Sequence, residues 1–345
     1  MIRFINDYST GAAPEIIQAV AALGGEEYAP YGEDTICAEA RDLIRFSLGR
    51  SDVDVHFVTG GTQANLTVIA AALRGHEAVL ATDWGHIATF ETGAVEATGH
   101  KVVVVPHCQG KITVAAIERA LAFHCDEHSV KPKLVYISQS TEWGSIYTKS
   151  ELRQLSEFVH ANDMWLYIDG ARLGAAITSP AADFSLEDIA AWADAFSLGG
   201  TKNGALFGEA IVITEPRLKE DFRYTIKQKG GMLAKGWLLG VQFKELFRDG
   251  LFYRLAEHSN NQAAKIRQAL LANNIPQAVD SATNLLFPIL PLEFIMELSQ
   301  NFSFNIVEKR GADQGVVRLV TSWATDDAAV AMLCGALSKY SSRYV

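Results

Sequence analysis

Short, largely β-branched apolar runs recur along the first 213 positions, at 53–58, 77–81, 101–105, 133–138, 164–168, 194–198 and 210–213. Helical spacing fills the gaps between them. Residues 63–73 are rich in Ala and Leu and stop at Gly75, residues 114–123 follow an Ile112-Thr113 cap, and residues 150–161 form another helical stretch. Strand and helix in alternation favour a parallel sheet with crossover helices. After about residue 214 the alternation stops. The pattern predicts helix over 217–247, interrupted at Gly230-Gly231, and again over 252–271. Short strand-like pieces follow, including 316–320, and then a last helix over 326–340. The expected fold class is α/β, a large, mostly parallel sheet domain with a smaller α+β C-terminal domain. The expected division is an N-terminal arm, 1–13, a large domain with its connecting helix, 14–248, and a small domain, 249–345.

Composition narrows the function. A chain of 345 residues exceeds what one core usually serves, which agrees with two domains. Lys and Arg number 30 against 40 Asp and Glu, a net charge of −10. Binding to phosphate backbones needs a basic face, so a nucleic-acid partner is not expected. No apolar run approaches the ~20 residues that span a bilayer, so no membrane partner is expected either. The start, Met1 to Asp7, has no apolar core of a signal peptide, and Cys37, Cys108, Cys125 and Cys334 form no CxxC pair. Those features predict a cytoplasmic protein with reduced thiols and no metal site.

In open α/β sheets, chemistry gathers at the carboxyl ends of strands. Three such loops stand out. Thr59-Gly60-Gly61-Thr62-Gln63-Ala64-Asn65 joins a strand to a helix, and is either an ordinary turn or an anion cradle built on free amides. No Gly-Lys-Ser/Thr follows, which excludes a P-loop. In the second loop Asp169 ends an apolar strand, where it either caps the next helix or meets a protonated ring nitrogen. In the third, Gly199-Gly200-Thr201-Lys202-Asn203-Gly204, Lys202 is either a solvated charge or a desolvated amine able to form a Schiff base. Together, phosphate cradle, then Asp, then Lys is the order that holds pyridoxal phosphate. The Gly60–Gly61 loop takes the phosphate, Asp169 the ring nitrogen and Lys202 the aldehyde.

Over nearly its full length the chain resembles the threonine aldolases, in the group of β-eliminating lyases with the fold type I pyridoxal phosphate architecture. The resemblance rests on Tyr31-Gly32-Glu33-Asp34, the Thr59–Asn65 loop, His86-Ile87 with Glu91-Thr92-Gly93-Ala94, Asp169-Gly170-Ala171-Arg172, Gly200-Thr201-Lys202-Asn203-Gly204 and Val317-Arg318-Leu319 running to Trp323. It implies that His86 stacks on the cofactor ring. Thr62, Thr201 and Lys235 join the cofactor contacts, with Lys235 reaching the phosphate. It implies that Arg172 and Arg318 clamp a substrate carboxylate, Arg172 being otherwise a cofactor contact or a structural ion pair. Asn6 stands where relatives often have serine, as a substrate contact. Tyr31 looks like a residue lent to a neighbouring subunit, which implies a homodimer or homotetramer with sites at the interface. Glu142 replaces a histidine of many relatives and is the candidate acid/base, alongside His86.

The function this implies is cleavage of L-threonine or L-allo-threonine to glycine and an aldehyde. Two alternatives use the same residues. One is β-elimination from a substituted alanine, which releases pyruvate. The other is a cofactor-fold protein that binds without turnover, which the intact lysine and both arginines disfavour.

Overall fold

The computed structural model describes residues 1–340. All seven apolar runs form strands of one sheet, with bounds shifted by a residue or two. They are β1 (Asp54–Val58), β2 (Glu77–Thr82), β3 (Lys101–Val105), β4 (Lys131–Ser138), β5 (Trp165–Asp169), β6 (Ala195–Gly199) and β7 (Glu209–Ile213). Their order is β1-β7-β6-β5-β4-β2-β3. β2 to β6 pair in parallel, while β7 runs antiparallel to both β1 and β6. Helices cover both faces, so the central strands are buried throughout. Successive side chains alternate between two apolar layers. Leu166, Ile168, Phe196 and Leu198 enter one; Trp165, Tyr167, Ala195 and Ile211 enter the other.

Capping residues start the crossover helices where the sequence puts them. Thr113 accepts from the Ala116 amide at the head of Val114–Phe123, and Thr148 with Glu151 forms a capping box on Lys149–Ala161. The helix after β1, Gly61–Ala72, has no side-chain cap.

The second lobe is a small antiparallel sheet whose middle strand, Gln314–Val320, pairs with Ile289–Pro291, Asn305–Arg310 and Leu285–Leu286. It packs with Leu251–Ala272 and Asp327–Leu337 around its own core. The first strand, Ile2–Arg3, pairs with Phe302–Ser303, and Phe4 is buried in this core, so the N-terminus starts in the small lobe.

The helical reading of 217–247 holds at its interruption at Gly230-Gly231 and needs one further break. It is three helices, Pro216–Lys219, Phe222–Gln228 and Trp237–Phe247. Asp221 at φ 55° breaks the first junction, and residues 229–236 form a loop with Gly230 at φ 74°. The last helix stops at Leu337 rather than 340. Helices Pro14–Ala22 and Thr35–Ser47 were not foreseen; the second packs on Trp237–Phe247. No helix among the described residues is long and apolar enough to cross a membrane.

Candidate active site

Sheet topology brings the chemical residues together. Asp169 is the last residue of β5, Lys202 lies three residues past β6, Gly61 opens the helix after β1, His86 follows β2 and Glu142 follows β4. These five, with Arg172, line one cavity at the carboxyl ends of the strands. Backbone approach fixes the lysine loop against the aspartate loop. The Gly199 amide donates to the Gly170 carbonyl at 3.0 Å, and the Gly170 amide to Ser197 Oγ at 2.9 Å. A Cβ at Gly170 would lie 1.9 Å from the Ser197 carbonyl oxygen, so only glycine fits. Gly204, at φ 92°, then turns the chain, and its carbonyl accepts from the Ala13 amide at 2.8 Å.

Asp169 is buried and accepts three hydrogen bonds: Ala171 N–H at 2.9 Å, Tyr136 Oη–H at 2.6 Å and Asn65 Nδ2–H at 3.0 Å. Burial alone would raise its carboxyl. Lys202, the Tyr136 bond, His86 and the Ala171 amide outweigh burial and hold it below the usual range. Asn65 spends its second hydrogen on Glu91 Oε1, at 2.7 Å, and the same oxygen lies 2.7 Å from His86 Nδ1. Glu91 thus fixes the His86 ring beside the cavity. The Asp169 carboxylate is therefore a charged anchor rather than a helix cap; the helix Leu173–Ile177 has no side-chain cap.

Lys202 makes no hydrogen bond or ion pair among the described residues. Burial, and then the Arg172 guanidinium, push its amine below the ordinary lysine range, while Asp7, Asp169 and Glu209 pull the other way. An unpaired, desolvated amine is what nucleophilic attack on an aldehyde requires.

Arg172 forms a two-pronged pair with Asp7, Nε to Oδ2 at 2.7 Å and Nη2 to Oδ1 at 3.0 Å. Asn284 of the small lobe donates to the same Asp7 at 3.0 Å. Burial would raise Asp7, but Arg172, Lys202 and those hydrogen bonds lower it. The ion-pair alternative is thus the one this geometry realises for Arg172. Arg318 differs: its Nε is buried and has no hydrogen-bond partner. Burial, then Arg172, lower its pKa, against a pull from Asp7 and Tyr8. Arg318 thus carries an unpaired buried N–H near the Arg172–Asp7 pair, and it is not among the residues that line the cavity.

Glu142 Oε1 accepts from Ser138 Oγ at 2.7 Å and from the His86 amide at 3.0 Å. Burial raises its carboxyl, with Asp169 adding to the rise; Ser138, its own amide and His86 oppose.

Other expected residues are not gathered into this cavity within the single chain. Asn6 is half-buried, its Oδ1 accepting from the Tyr8 amide at 3.1 Å. Tyr31, at φ 62° and 41% exposed, lies under the Lys227 ammonium 4.7 Å from its ring centroid. Lys235 is exposed in the 229–236 loop. Thr201 accepts from the Gly208 amide at 3.0 Å, bracing the lysine turn. Gly60 and Thr62 flank Gly61 at the uncapped helix start, and a Cβ at Gly60 or Gly61 would meet no atom within 4 Å, which leaves room beside the backbone there.

These residues fit pyridoxal phosphate. Uncapped amides suit its phosphate, the ionised Asp169 its ring nitrogen and the free Lys202 amine its aldehyde. Sequence reasoning missed Asn65, Glu91, Tyr136, Ser138, Asp7, Asn284 and Glu209 as parts of the site. Asn65 and Glu91 stand inside motifs already singled out, which was the available signal.

Comparisons with known proteins agree with this geometry. The profile of the family described as beta-eliminating lyase matches residues 4–289. A low specificity L-threonine aldolase of Pseudomonas aeruginosa is 30% identical over 94% of this chain and 93% of its own length. A solved threonine aldolase of Leishmania major superposes with a TM-score of 0.97 at 47% identity, covering 98% of this chain and 99% of that one. A Thermus thermophilus aspartate aminotransferase variant, 16% identical with a TM-score of 0.73 over 99% of this chain and 91% of its own, shares the fold. The chain belongs to the β-eliminating lyase family, with threonine aldolases among its relatives.

Proposed function

We propose that this protein is a pyridoxal phosphate-dependent threonine aldolase, cleaving L-threonine or L-allo-threonine into glycine and acetaldehyde. The observation that carries the reading is the unpaired, desolvated Lys202 amine in one cavity with the ionised Asp169, Arg172 and Gly61. The cofactor, when bound, supplies an electron sink for the bond between the α and β carbons. Lys202 presents its amine to the cofactor's aldehyde. Asp169 holds a proton on the ring nitrogen, because an adjacent anion favours the charged form. Arg318 binds the substrate carboxylate and so orients the bond to be broken. Arg172 keeps Asp7 in place and lends its charge to the same end of the cavity. The His86 ring, fixed by Glu91, covers the cavity and excludes water. Glu142 takes the β-hydroxyl proton, a general-base contribution of about 10²–10⁴-fold.

The division into an arm at 1–13, a large domain at 14–248 and a small one at 249–345 belongs to this proposal. Its support is a large sheet confined to 54–213 and a small one to 285–320. So do a cytoplasmic location and a homodimer or homotetramer, in which Tyr31 and Lys235, exposed here, reach the partner's site. The test is purified protein with pyridoxal phosphate and threonine, allo-threonine, phenylserine and serine. Glycine and the matching aldehyde are expected, and Lys202→Ala abolishes both. Pyruvate from a substituted alanine with no glycine from threonine would overturn the reading in favour of β-elimination.

A further inference from the structure

Two hydroxyls connect the candidate base to the ring anchor. Ser138 Oγ donates to Glu142 Oε1 at 2.7 Å, and Tyr136 Oη donates to Asp169 Oδ2 at 2.6 Å. The two hydroxyl oxygens lie 3.2 Å apart. Each owns a single hydrogen. With both carboxylates ionised, both hydrogens point outward and the central contact holds no proton, only facing lone pairs. One proton on Glu142 resolves this. The carboxyl then donates to Ser138, Ser138 turns its hydrogen to Tyr136, and Tyr136 keeps its bond to Asp169. One proton on Asp169 produces the same chain reversed. The bridge therefore favours one proton on the pair.

We infer that Ser138 and Tyr136 are positioning residues that hold one proton between Glu142 and Asp169 and pass it to the ring nitrogen when pyridoxal phosphate is loaded, leaving Glu142 ionised as the base. The inference rests on the reading that this cofactor occupies the cavity. The step balances without a co-reactant. The Glu142 O–H bond breaks, each hydroxyl receives one hydrogen and gives one, Asp169 does the same, and the nitrogen lone pair takes the last. In the unloaded chain the proton rests on Glu142, whose burial disfavours charge, rather than on Asp169, whose three donors favour it. The base is thus ionised only when the cofactor is in place.

Other titratable groups face the pair. His86, Arg172 and Tyr147 act on or respond to Glu142; Lys202, His86, Glu209 and Tyr167 do so at Asp169. Lys202 and the cofactor also exchange protons on loading, in every variant alike. The bridge is therefore read from differences between variants. The full-length chain, stripped of cofactor, is reloaded with saturating pyridoxal phosphate in weakly buffered alkaline solution, where the ring nitrogen of the free cofactor carries no proton. An indicator dye counts protons exchanged, and absorbance counts cofactor bound. Wild type is expected to take up about one proton fewer per cofactor than Glu142→Gln, which has no proton to hand over. Tyr136→Phe and Ser138→Ala should match Glu142→Gln, and Ser138→Thr, which keeps the hydroxyl, should match wild type. Equal counts in wild type and Glu142→Gln would overturn the shared proton. A wild-type count in both Tyr136→Phe and Ser138→Ala would overturn the bridge. Absence of bound-cofactor absorbance in wild type would overturn the cofactor reading instead, so the two fail separately.

Discussion

Glu209→Gln should flatten the alkaline limb of the stability profile. Glu209 opens β7, opposite Gly199 of β6 and Val58 of β1, and is only 2% exposed. One of its oxygens, Oε2, has no hydrogen-bond partner. Burial, the largest influence, and the charge on Asp169 push its carboxyl up to about 8, against Lys202 and hydrogen bonds from Thr201 and Gly200. An ordinary glutamate sits at 4.5. Between those values the folded chain holds a proton that the unfolded chain releases. Stability from this group is therefore full below about 4.5 and is lost as pH rises through about 8. The slope is about 1.4 kcal/mol per pH unit, and the full span is roughly 5 kcal/mol. Glutamine mimics the protonated acid in size and polarity and does not titrate. Urea unfolding of the cofactor-free chain, from pH 5 to pH 9.5, measures it. The variant should equal wild type near pH 5 and become progressively more stable above it. Groups remote from Glu209 titrate alike in both proteins and cancel in the difference, while Lys202, which the Glu209 charge pulls up, shifts with it. A difference curve flat with pH would refute the claim that Glu209 is buried neutral.

Asp7→Ala leaves the buried Arg172 unpaired and should cost roughly 3–5 kcal/mol, read as a lower urea midpoint. Because the folded chain holds Asp7 below its ordinary 3.8, its contribution is present above that value and fades as pH falls; the variant should therefore lose less stability than wild type on acidification below pH 4. Arg318→Met should raise the KM for threonine about 10- to 150-fold, the equivalent of the ~1.5–3 kcal/mol of a hydrogen bond to a charged group, with cofactor affinity unchanged. An unaltered KM would remove Arg318 from the carboxylate site. Asn65→Leu strips one donor from each of Glu91 and Asp169 and should weaken cofactor binding, seen in an equilibrium titration followed by absorbance.

What the sequence reveals and what it hides divides along physical lines. The central strands, buried on both faces, are largely apolar, and the flanking β1 and β3 still carry enough valines to show, so all seven runs were legible. Lys202 and Asp169 were legible because a polar residue at the end of an apolar strand is conspicuous. The helical reading over 217–247 found the break at Gly230-Gly231 but missed the one at Asp221, because a left-handed aspartate is invisible to periodicity. Helix Thr35–Ser47 was legible in principle, since Ile36, Cys37, Ala40 and Ile44 recur at helical spacing on its buried face, behind the capping Asp34.

The partners of the site residues were hidden for a different reason: they are specified by register, not by composition. Parallel pairing of β4 with β5 sets Tyr136 opposite Tyr167 and Ser138 opposite Asp169. With a side-chain period of two, those four residues point to one face of the sheet, the face on which the helix Gly61–Ala72 carries Asn65. Antiparallel pairing puts Glu209 on that face too, in step with Ile211 and Ile213. A slip of one residue in β4 would turn Tyr136 and Ser138 into the opposite apolar layer and bring Val135 and Ile137 against Asp169. The tight apolar packing of Val135 and Ile137 on their own side therefore holds the hydroxyls at the carboxylates. Through that register the hydrophobic core positions the proton-handling groups, and a core substitution such as Ile137→Ser should disturb the site without touching it.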